Sequence, residues 1–432
     1  MQKTLFILLL TIPFIGFGQG FEKTFGGANF DLGYSVQPSS DGGYVITGST
    51  ESYGNGDADV YLVKTDANGD SLWTKTFGGT SQDYGSSLQL TSDGGYVIAG
   101  RTEYGNGDKD VYLIKTDANG DTLWTKTYGG PSVDFGLFVQ ETTDGGFIIT
   151  GATESFGNGG RDVYLVKTDA NGIEQWAQSF GGSVFEIGNW VQQTTDGGYI
   201  IVGGTNSFGN GNRDVYLIKT DDNGVEQWNQ TFGGVEFEVG NSVKQTTDGG
   251  YIITGRTASF GAGSLDVYLI KTDGSGTEQW YKTFGGPSFD LGTAVQQTPD
   301  GGYVICGGTD SFGAGARDAY LIKTDSNGTE LSNETFGGAD FEIAYNMQLT
   351  SDGGYVIIGG TESYGNGDRD VFLIKTSGSG NSTSIFNMPI PNPNRKLEKV
   401  VDVIGRETNP QPNLIFIEIY DDGTVEKKII VE

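Results

Sequence analysis

The segment Asp41-Gly-Gly-Tyr, with its close variants, begins seven times along the chain, at Asp41, Asp93, Asp144, Asp196, Asp248, Asp300 and Asp352. Successive copies start 52 residues apart, except for one step of 51. A fixed period of this length indicates that one supersecondary unit is repeated in an array. We therefore expect residues 20–376 to form one large repeated body rather than several unrelated domains.

Each repeat predicts four short β-strands. In the first repeat we expect strands at about 34–39, 43–49, 60–65 and 72–77, because these stretches are rich in β-branched and aromatic residues and are bounded by Gly, Asn or Asp. No stretch of the repeats has a helical period. Seven repeats of four strands predict an all-β protein, a seven-bladed β-propeller of four-stranded antiparallel blades, in preference to a stacked solenoid.

The two ends of the array predict how the ring closes. The last repeat stops after Val371-Phe-Leu-Ile-Lys-Thr376 and lacks a fourth strand, whereas the chain carries an extra copy of that strand, Phe21-Glu-Lys-Thr-Phe25, before the first complete repeat. We expect this N-terminal strand to pair as the fourth strand of the last blade. Such pairing closes the ring and removes both exposed sheet edges.

Loop lengths distinguish the two faces of the expected ring. The Asp-Gly-Gly and Asp-x-Asn-Gly connections are typical of tight hairpin turns, whereas the connections 26–33 and 51–58 and their equivalents are longer. Both long connections fall on the same face, which we call the loop face. A binding site is expected there, because function concentrates on loops that a rigid scaffold holds.

The composition excludes several classes of function. The formal net charge is −29, which repels phosphate backbones, so nucleic acid is not expected as a partner; the charge favours cations or basic surfaces, or simply solubility. The sequence has no histidine, which removes Ser-His and Cys-His dyads and His-ligated metal sites. Its one cysteine, Cys306, is expected to be a buried apolar strand residue.

Two sets of carboxylates recur once per repeat on the expected loop face. The first set, our candidates for ligand binding, lies in the connection before the first strand: Asp31, Asp83, Asp134, Glu186, Glu238, Asp290 and Glu342. The second set, our candidates for a metal site, begins each third strand: Asp59, Asp110, Asp162, Asp214, Asp266, Asp318 and Asp370. Oxygen ligands from neighbouring loops suit Ca²⁺, which is the one cofactor that the sequence suggests. The alternative is structural, with each acid accepting backbone N–H bonds in its own loop.

Two further sets of residues can each be interpreted in two ways. Amide side chains lie on the expected innermost strand, where they either line a channel that binds a ligand or merely hydrate it: Gln37, Gln89, Gln140, Gln192, Gln296 and Gln348, with Lys244 in the remaining repeat. Aromatic residues of the second long loop either stack on sugars or anchor their own loop: Tyr53, Tyr104, Phe156, Phe208, Phe260, Phe312 and Tyr364.

The N-terminal residues are typical of a secretory signal peptide, which we expect over residues 1–19. Met1-Gln-Lys3 is followed by an apolar run from Leu5 to Phe17 and by small residues up to Gly20. The run is too short to span a bilayer comfortably, and no later stretch is apolar enough, so no transmembrane segment is expected.

The turn Lys64-Thr-Asp-Ala-Asn-Gly-Asp-Ser-Leu-Trp73 resembles the docking motif of quinoprotein-type β-propellers. It recurs with Trp124, Trp176, Trp228 and Trp280, and it fails at Ser332. The resemblance implies that each tryptophan packs between adjacent blades, on the outermost strand, and that the strand after the first long loop is innermost. No residues resemble a quinone site. The repeats also look like the Gly-rich propeller repeats of secreted bacterial proteins that have no established enzymatic activity.

Residues 377–394 are rich in Ser and Gly and then in Pro, which predicts a linker. Residues 395–432 contain three strand-like segments and resemble the C-terminal sorting domain of proteins exported by the type IX secretion system of Bacteroidetes. The resemblance rests on Asp402, Gly405 and Arg406 and on the terminal Lys427-Lys428-Ile-Ile-Val431. It implies recognition by the type IX secretion machinery and delivery through the periplasm and outer membrane. The Pro391-Asn-Pro393 element runs almost directly into Leu397, so the usual first strands are shortened. The alternative is a small sheet that packs on the propeller.

Two functions are compatible with these patterns. The first is an exported, secreted or surface-displayed propeller without catalytic activity, which binds a glycan or a surface protein on its loop face. The second is an extracellular polysaccharide hydrolase or lyase that uses a pair of loop carboxylates, since glycosidases need two carboxylates and no histidine. The even recurrence of the acids favours binding, because an active site usually breaks the symmetry of a repeat.

Overall fold

Short β-strands make up all of the regular structure in the described part of the chain. The computed structural model describes residues 20–103, 109–377, 396–402, 415–420 and 425–429, and they contain no helix. The strands fall into two compact units, residues 1–382 and 383–432. The expected signal peptide, Tyr104 and nearly all of the expected linker lie outside the described residues.

Each repeat folds into one four-stranded antiparallel sheet, after a single leading strand, β1 (Phe21–Phe25). The first three blades comprise β2 (Asp31–Pro38), β3 (Tyr44–Thr50), β4 (Asp59–Thr65) and β5 (Ser71–Phe77); β6 (Asp83–Leu90), β7 (Tyr96–Thr102), β8 (Asp110–Thr116) and β9 (Thr122–Tyr128); and β10 (Asp134–Glu141), β11 (Phe147–Thr153), β12 (Asp162–Thr168) and β13 (Glu174–Phe180).

The remaining blades continue this order. They comprise β14 (Glu186–Gln193), β15 (Tyr199–Thr205), β16 (Asp214–Thr220) and β17 (Glu226–Phe232); β18 (Glu238–Gln245), β19 (Tyr251–Thr257), β20 (Asp266–Thr272) and β21 (Glu278–Phe284); β22 (Asp290–Gln297), β23 (Tyr303–Thr309), β24 (Asp318–Thr324) and β25 (Glu330–Phe336); and β26 (Glu342–Leu349), β27 (Tyr355–Thr361) and β28 (Asp370–Lys375), which β1 completes.

The first strands of the seven blades contact one another in a closed cycle, from β2 through β6, β10, β14, β18, β22 and β26 back to β2. These strands are therefore innermost and surround a central channel, as the docking-motif resemblance implied. The second and third strands are buried almost throughout, because neighbouring blades cover both of their faces. The seven-bladed propeller predicted from the repeats is confirmed.

The first strand of each blade begins earlier than predicted. In the first blade the expected start at residue 34 is wrong, because β2 starts at Asp31. The backbone N–H of Asp31 donates to the carbonyl of Arg369 in the preceding blade, at 2.7 Å, and this bond holds the chain extended. The first set of carboxylates therefore begins the innermost strands rather than lying within the long loops.

Pairing of β1 with β28 closes the ring, as predicted. The two strands are antiparallel, from Phe21 opposite Lys375 to Phe25 opposite Val371. The ring of Phe21 also packs against Tyr44 of the first blade, with centroids 6.0 Å apart. The N-terminal strand thus joins the last blade by hydrogen bonds and the first blade by side-chain packing.

The docking tryptophans lie between blades, as the resemblance implied. The ring of Trp73 in the first blade packs against Tyr96 of the second, with centroids 6.3 Å apart. It also lies over Gly120, whose φ is +77° and where an added Cβ would lie 2.7 Å from Cη2 of Trp73. Glycine is needed at this turn for its conformation and for its small size. In the ring closure, Phe21 occupies the equivalent place over Gly69.

The opposite face, formed by the tight turns, is held by a repeated ion pair. Nζ of Lys64 is paired with Asp41 at 2.7 Å and donates to the carbonyl of Thr65 at 2.9 Å, although the lysine side chain is nearly buried. The hydrogen bond from Lys64 holds the pKa of Asp41 well below its usual range. This pair joins the two turns of one blade, and it recurs between Lys115 and Asp93 and in later blades.

The second unit is a three-stranded antiparallel sheet of β29 (Leu397–Asp402), β30 (Ile415–Tyr420) and β31 (Val425–Ile429), in that order. The three predicted strand segments are thus confirmed. Asp402 ends β29, and Lys427 and Lys428 lie in β31 opposite Ile417 and Phe416. Gly405 and Arg406 lie outside the described residues. The described residues also include no helix that is long and apolar enough to cross a membrane.

Replacing Phe21 with Ala should lower the free energy of unfolding by about 3 kcal/mol, because it removes a buried ring from the junction between the last and first blades. Thermal unfolding and size-exclusion chromatography measure this effect. Leu331→Ala is the matched control, because Leu331 is 65% exposed on another outermost strand and should change stability little. Equal melting of both variants and the wild type would contradict closure by β1.

Candidate functional site

The two sets of carboxylates meet at the seams between blades. In every seam the Asp that begins a third strand lies beside the acid that begins the next blade's first strand: Asp59 beside Asp83, Asp110 beside Asp134, Asp162 beside Glu186, Asp214 beside Glu238, Asp266 beside Asp290, Asp318 beside Glu342, and Asp370 beside Asp31. Oxygens of each pair converge on one glycine. A Cβ added to Gly78, for example, would lie 2.2 Å from Oδ1 of Asp59 and 2.6 Å from Oδ2 of Asp83.

Most of the carboxylates in these seams are buried, although Asp83 borders a cavity of about 340 Å³. All of the first set and six of the second set are at most 2% exposed, and Asp110 is partly exposed. The acids therefore do not form the open ring of loop carboxylates that the sequence suggested.

Each acid of the first set joins two loops of its own blade. Oε2 of Glu186 accepts a hydrogen bond from the N–H of Gly182 at 2.7 Å, and Oε1 accepts from Oγ1 of Thr205 at 2.8 Å and from the N–H of Ser207 at 3.0 Å. The same three kinds of donor surround Glu238 and Glu342. This geometry corresponds to the structural alternative for these residues.

In the aspartates of the first set, only one of the two carboxylate oxygens accepts hydrogen bonds. Oδ2 of Asp290 accepts from the N–H of Gly286 at 2.9 Å and from Oγ of Ser311 at 2.7 Å, but Oδ1 is buried without a hydrogen-bond partner. Oδ1 of Asp31, Asp83 and Asp134 is unpartnered in the same way. Aspartate is one methylene shorter than glutamate, so its second oxygen does not reach the Thr and Ser donors.

The second set holds the long loop that precedes it. Oδ2 of Asp59 accepts from the N–H groups of Asn55 at 2.9 Å and Gly56 at 3.2 Å. Burial raises the pKa of Asp318, and the neighbouring Glu342 raises it further, against a lowering by the N–H of Gly315. A carboxyl whose pKa is raised by folding opposes folding at neutral pH, and this opposition is relieved as the pH falls through that pKa.

Calcium at these seams stays a prediction. Each seam supplies two carboxylates, and no group of three or more His, Cys, Asp or Glu side chains in the described ranges is arranged to hold a metal ion. Ca²⁺ would need further oxygen ligands from backbone carbonyls or solvent.

Substitutions between Asp and Glu in the first set should change the free energy of unfolding in opposite directions. Asp290→Glu should raise the free energy of unfolding by about 1 kcal/mol, because its second oxygen then reaches Oγ1 of Thr309 and the N–H of Ser311. Glu238→Asp should lower it by a similar amount. Thermal denaturation of both variants tests the pair. Destabilisation by both substitutions would contradict this explanation of the unpartnered oxygens.

The channel widens towards the loop face into a pocket of about 400 Å³, which we call the upper pocket. Its wall comes from the upper halves of the innermost strands and from two arginines of second strands, Arg101 and Arg256. Tyr34 and Tyr345 lie side by side in this wall, with ring centroids 5.2 Å apart. In the part of the chain that the structure describes, no Asp or Glu lines the pocket.

The repeat symmetry breaks at this wall. The third residue after each first-set acid differs from blade to blade: Tyr34, Ser86, Leu137, Asn189, Asn241, Thr293 and Tyr345. The fourth residue varies as well: Ser35, Ser87, Phe138, Trp190, Ser242, Ala294 and Asn346. The upper pocket is therefore asymmetric, although the loops around it are nearly identical.

Aromatic side chains form the floor of the upper pocket. Phe138 and Trp190 stack with their centroids 3.9 Å apart and their planes at 27°. Below them lies a second cavity of about 170 Å³, whose lining includes Gln37, Gln89, Gln140, Gln192, Gln348 and Lys244. The expectation that these side chains face the channel is confirmed for these six residues.

The glutamines also connect neighbouring blades. Oε1 of Gln89 accepts from the N–H of Glu141 at 2.6 Å, and Gln140 and Gln192 make the same contact to the following blades. Nε2 of Gln296 donates to Oε1 of Gln348 at 3.3 Å. These bonds supply a structural reason for an amide at this repeat position.

Lys244 replaces glutamine in one blade, and its Nζ lies 4.9 Å from the centroid of the Trp190 ring. Desolvation in the channel lowers the pKa of Lys244 to about 8, from the usual 10.5. The charged form is therefore disfavoured by folding. The penalty is present in full below pH 8 and disappears as the pH rises through 10.5.

Replacing Lys244 with Gln should raise the free energy of unfolding at pH 7 by about 1–2 kcal/mol, because it removes a desolvated charge and restores the repeat residue. The difference in the free energy of unfolding between this variant and the wild type should shrink between pH 8 and pH 10.5, as Lys244 of the wild type loses its proton. Chemical denaturation across this range measures the difference. A constant difference would contradict the lowered pKa.

The long-loop aromatics act as anchors. The hydroxyl of Tyr53 donates to the carbonyl of Gly26 at 2.7 Å, and its ring packs against Tyr61 with centroids 5.8 Å apart. Phe156, Phe208, Phe260, Phe312 and Tyr364 pack against the equivalent aromatic residue of the third strand. Cys306 is also buried, as expected, and burial raises the pKa of its thiol to about 12.

The sequence analysis missed the residues of the upper pocket. It followed positions that repeat, whereas Arg101, Arg256, Trp190 and Asn346 stand at positions where the other blades carry different residues. A search for variation among the copies of the innermost strand would have found them.

No family model matches the chain. Over 198 residues it is 28% identical to the regulatory protein FlaEY of Caulobacter vibrioides, a match that covers 39% of this chain and 20% of that protein. The chain thus spans about a fifth of the length of this curated relative.

Solved structures resemble the chain in fold. An S511A mutant of puromycin hydrolase superposes with a TM-score of 0.52 at 13% identity, over 91% of this chain and 59% of that one. The Neurospora crassa Pan2 WD40 domain gives a TM-score of 0.49 at 10% identity, over 83% and 96% of the two chains. At such identities the likeness concerns the fold alone.

Proposed function

We propose that the protein is an exported binding scaffold without catalytic activity, which holds a ligand in the upper pocket of its loop face. The observation that carries this proposal is the break in repeat symmetry at the pocket wall. Positions that a propeller needs in every blade are nearly identical, whereas the combination of the two wall residues is different in every blade. Such divergence around one concave site is what recognition of a specific ligand requires.

The alternative, a polysaccharide hydrolase or lyase, is less well supported. A glycosidase places two carboxylates beside the scissile bond. The paired acids of this chain are mostly buried in the seams and hydrogen-bonded to their own loops, and no carboxylate of the described residues lies in the wall of the upper pocket. A glycan or a surface protein is therefore the proposed ligand rather than a substrate.

Incubation with a panel of polysaccharides separates the two functions. The full-length protein should retain a polysaccharide in a pull-down without releasing reducing ends, and addition of a chelator reports on any role of Ca²⁺ in binding. Release of reducing ends that is lost in Glu342→Gln would overturn the proposal in favour of the hydrolase. Loss of binding on chelation would support calcium at the seams.

The proposed location is the cell surface or the medium. Its support is the signal-like N-terminal sequence and the resemblance of residues 395–432 to a type IX sorting domain. The proposed partner in export is the type IX secretion machinery, with Asp402, Gly405, Arg406, Lys427 and Lys428 as the sorting residues.

Removal of residues 395–432 should leave the protein in the periplasm of a host that has a type IX secretion system, because the sorting segment is then lost. Cell fractionation and surface proteolysis measure the location. Thermal melting of the propeller should stay unchanged, which separates a sorting defect from misfolding. Surface delivery of the truncated protein at the wild-type level would contradict the sorting role.

A further inference from the structure

The arginines of the propeller are concentrated on its loop face. The sequence has eight arginines, and six of them belong to the repeats: Arg101, Arg161, Arg213, Arg256, Arg317 and Arg369. Four directly precede the third strands, and two lie one residue from the end of second strands. These six arginines therefore lie on the loop face, which also carries the two sets of carboxylates.

The four arginines that precede third strands have polar partners. Arg161 and Arg369 are paired with Glu154 and Glu362, and Nε of Arg317 lies 2.5 Å from Oδ1 of Asp310. Nε of Arg213 donates to Oδ1 of Asn206 at 2.8 Å. These arginines also lie over phenylalanine rings. Arg317 lies 4.3 Å from the centroid of Phe289, which precedes its own blade, and 5.0 Å from that of Phe341, which precedes the next blade.

Arg101 and Arg256 line the upper pocket, and neither is paired with a carboxylate of the residues that the structure describes. The guanidinium of Arg101 lies 4.3 Å from the centroid of Tyr84, and that of Arg256 lies 5.3 Å from the centroid of Phe237. Nε of each arginine is buried without a hydrogen-bond partner in the described structure. They come from the second and fifth blades, so two separate blades each contribute an arginine whose Nε is unpartnered.

Two more unsatisfied polar atoms lie in the same wall. Nε1 of Trp190 and Oδ1 of Asn346 are buried without a partner, on side chains that are only 5% and 4% exposed. The side chains that line the pocket therefore include three buried donors and one buried acceptor without a partner in the described structure. Buried polar atoms rarely lack a partner, and an unmade hydrogen bond there is costly, so this wall is suited to a polar ligand.

The charges around Arg256 favour an anion. Burial lowers the pKa of Arg256, and the nearby Arg213 and Arg317 lower it further. Among the described residues, no Asp or Glu lines the pocket to offset this repulsion. A ligand that brings a negative charge would relieve it and form charge-assisted hydrogen bonds, which are among the stronger ones in proteins.

We propose that the upper pocket binds a saccharide that carries a carboxylate, such as a hexuronate unit of an acidic glycan. A carboxylate would accept from Arg101 or from Arg256, a ring hydroxyl would donate to Asn346, and the pair Tyr34 and Tyr345 offers aromatic surface to the sugar ring. A volume of about 400 Å³ lies within the range of small-ligand sites. This inference rests on the proposed binding function and names the ligand class for it.

Isothermal titration of the full-length protein with trigalacturonate, neutral galactotriose and hexaglutamate tests the ligand class. Trigalacturonate should bind at least about tenfold more tightly than the other two, which lack either the charge or the sugar. Equal binding of galactotriose would overturn selection by charge. Tighter binding of hexaglutamate would overturn the saccharide in favour of an acidic peptide, and no binding of trigalacturonate would overturn the inference outright.

Variants then locate the site. Arg101→Gln and Arg256→Gln should each weaken trigalacturonate binding about tenfold, because each removes a charged hydrogen bond. Arg161→Gln is the matched control on the same face, outside the pocket, and should change the affinity less than about twofold. Thermal melting checks that all three variants fold. Equal affinities for all three would place binding elsewhere and overturn the assignment.

The results also separate this inference from the proposed function. If the protein retains a neutral glycan, and Arg101→Gln and Arg256→Gln do not change that retention, the binding scaffold is supported and the acidic ligand is contradicted. Release of reducing ends from a bound polysaccharide would remove the non-catalytic scaffold itself.

Discussion

The structure depends on the pairing of β1 with β28. Without this pairing, the seven sheets would form an open row. Such a row would expose unpaired strands at its two ends, and the first and last blades would not come together. Because residues 21–25 complete the last sheet, the first strands meet in a closed cycle. That cycle creates the channel, and it brings Arg101 of the second blade and Arg256 of the fifth blade to one pocket.

Within the ring, positions that recur serve mainly to hold the blades. The docking tryptophans fill the space over glycines of the next blade, the paired acids hold the loops at each seam, and the glutamines connect innermost strands. Each of these needs arises once per blade, which explains the near identity of the copies. The pocket wall is free of that constraint, so its residues differ, and it is there that ligand recognition is proposed.

Much of the fold could be predicted from the sequence. The repeat period, the composition of the strands and the extra copy of the fourth strand at the N-terminus are local features. The start of β2 could not be predicted, since Asp31 is held extended by the carbonyl of Arg369, a contact that depends on closure of the ring. The acids were correctly located on the loop face, but their burial depends on how adjacent blades pack. The upper pocket was not predicted, because its wall combines residues from all blades and no single repeat contains it.

Hydrogen–deuterium exchange of the full-length protein tests ring closure most directly. The amides of Phe21–Phe25 should be protected to the same extent as those of Glu330–Phe336, an outermost strand whose pairing lies within one continuous repeat. Rapid exchange of residues 21–25 beside lasting protection of residues 330–336 would show that β1 is not part of the last blade, and it would contradict the closed ring.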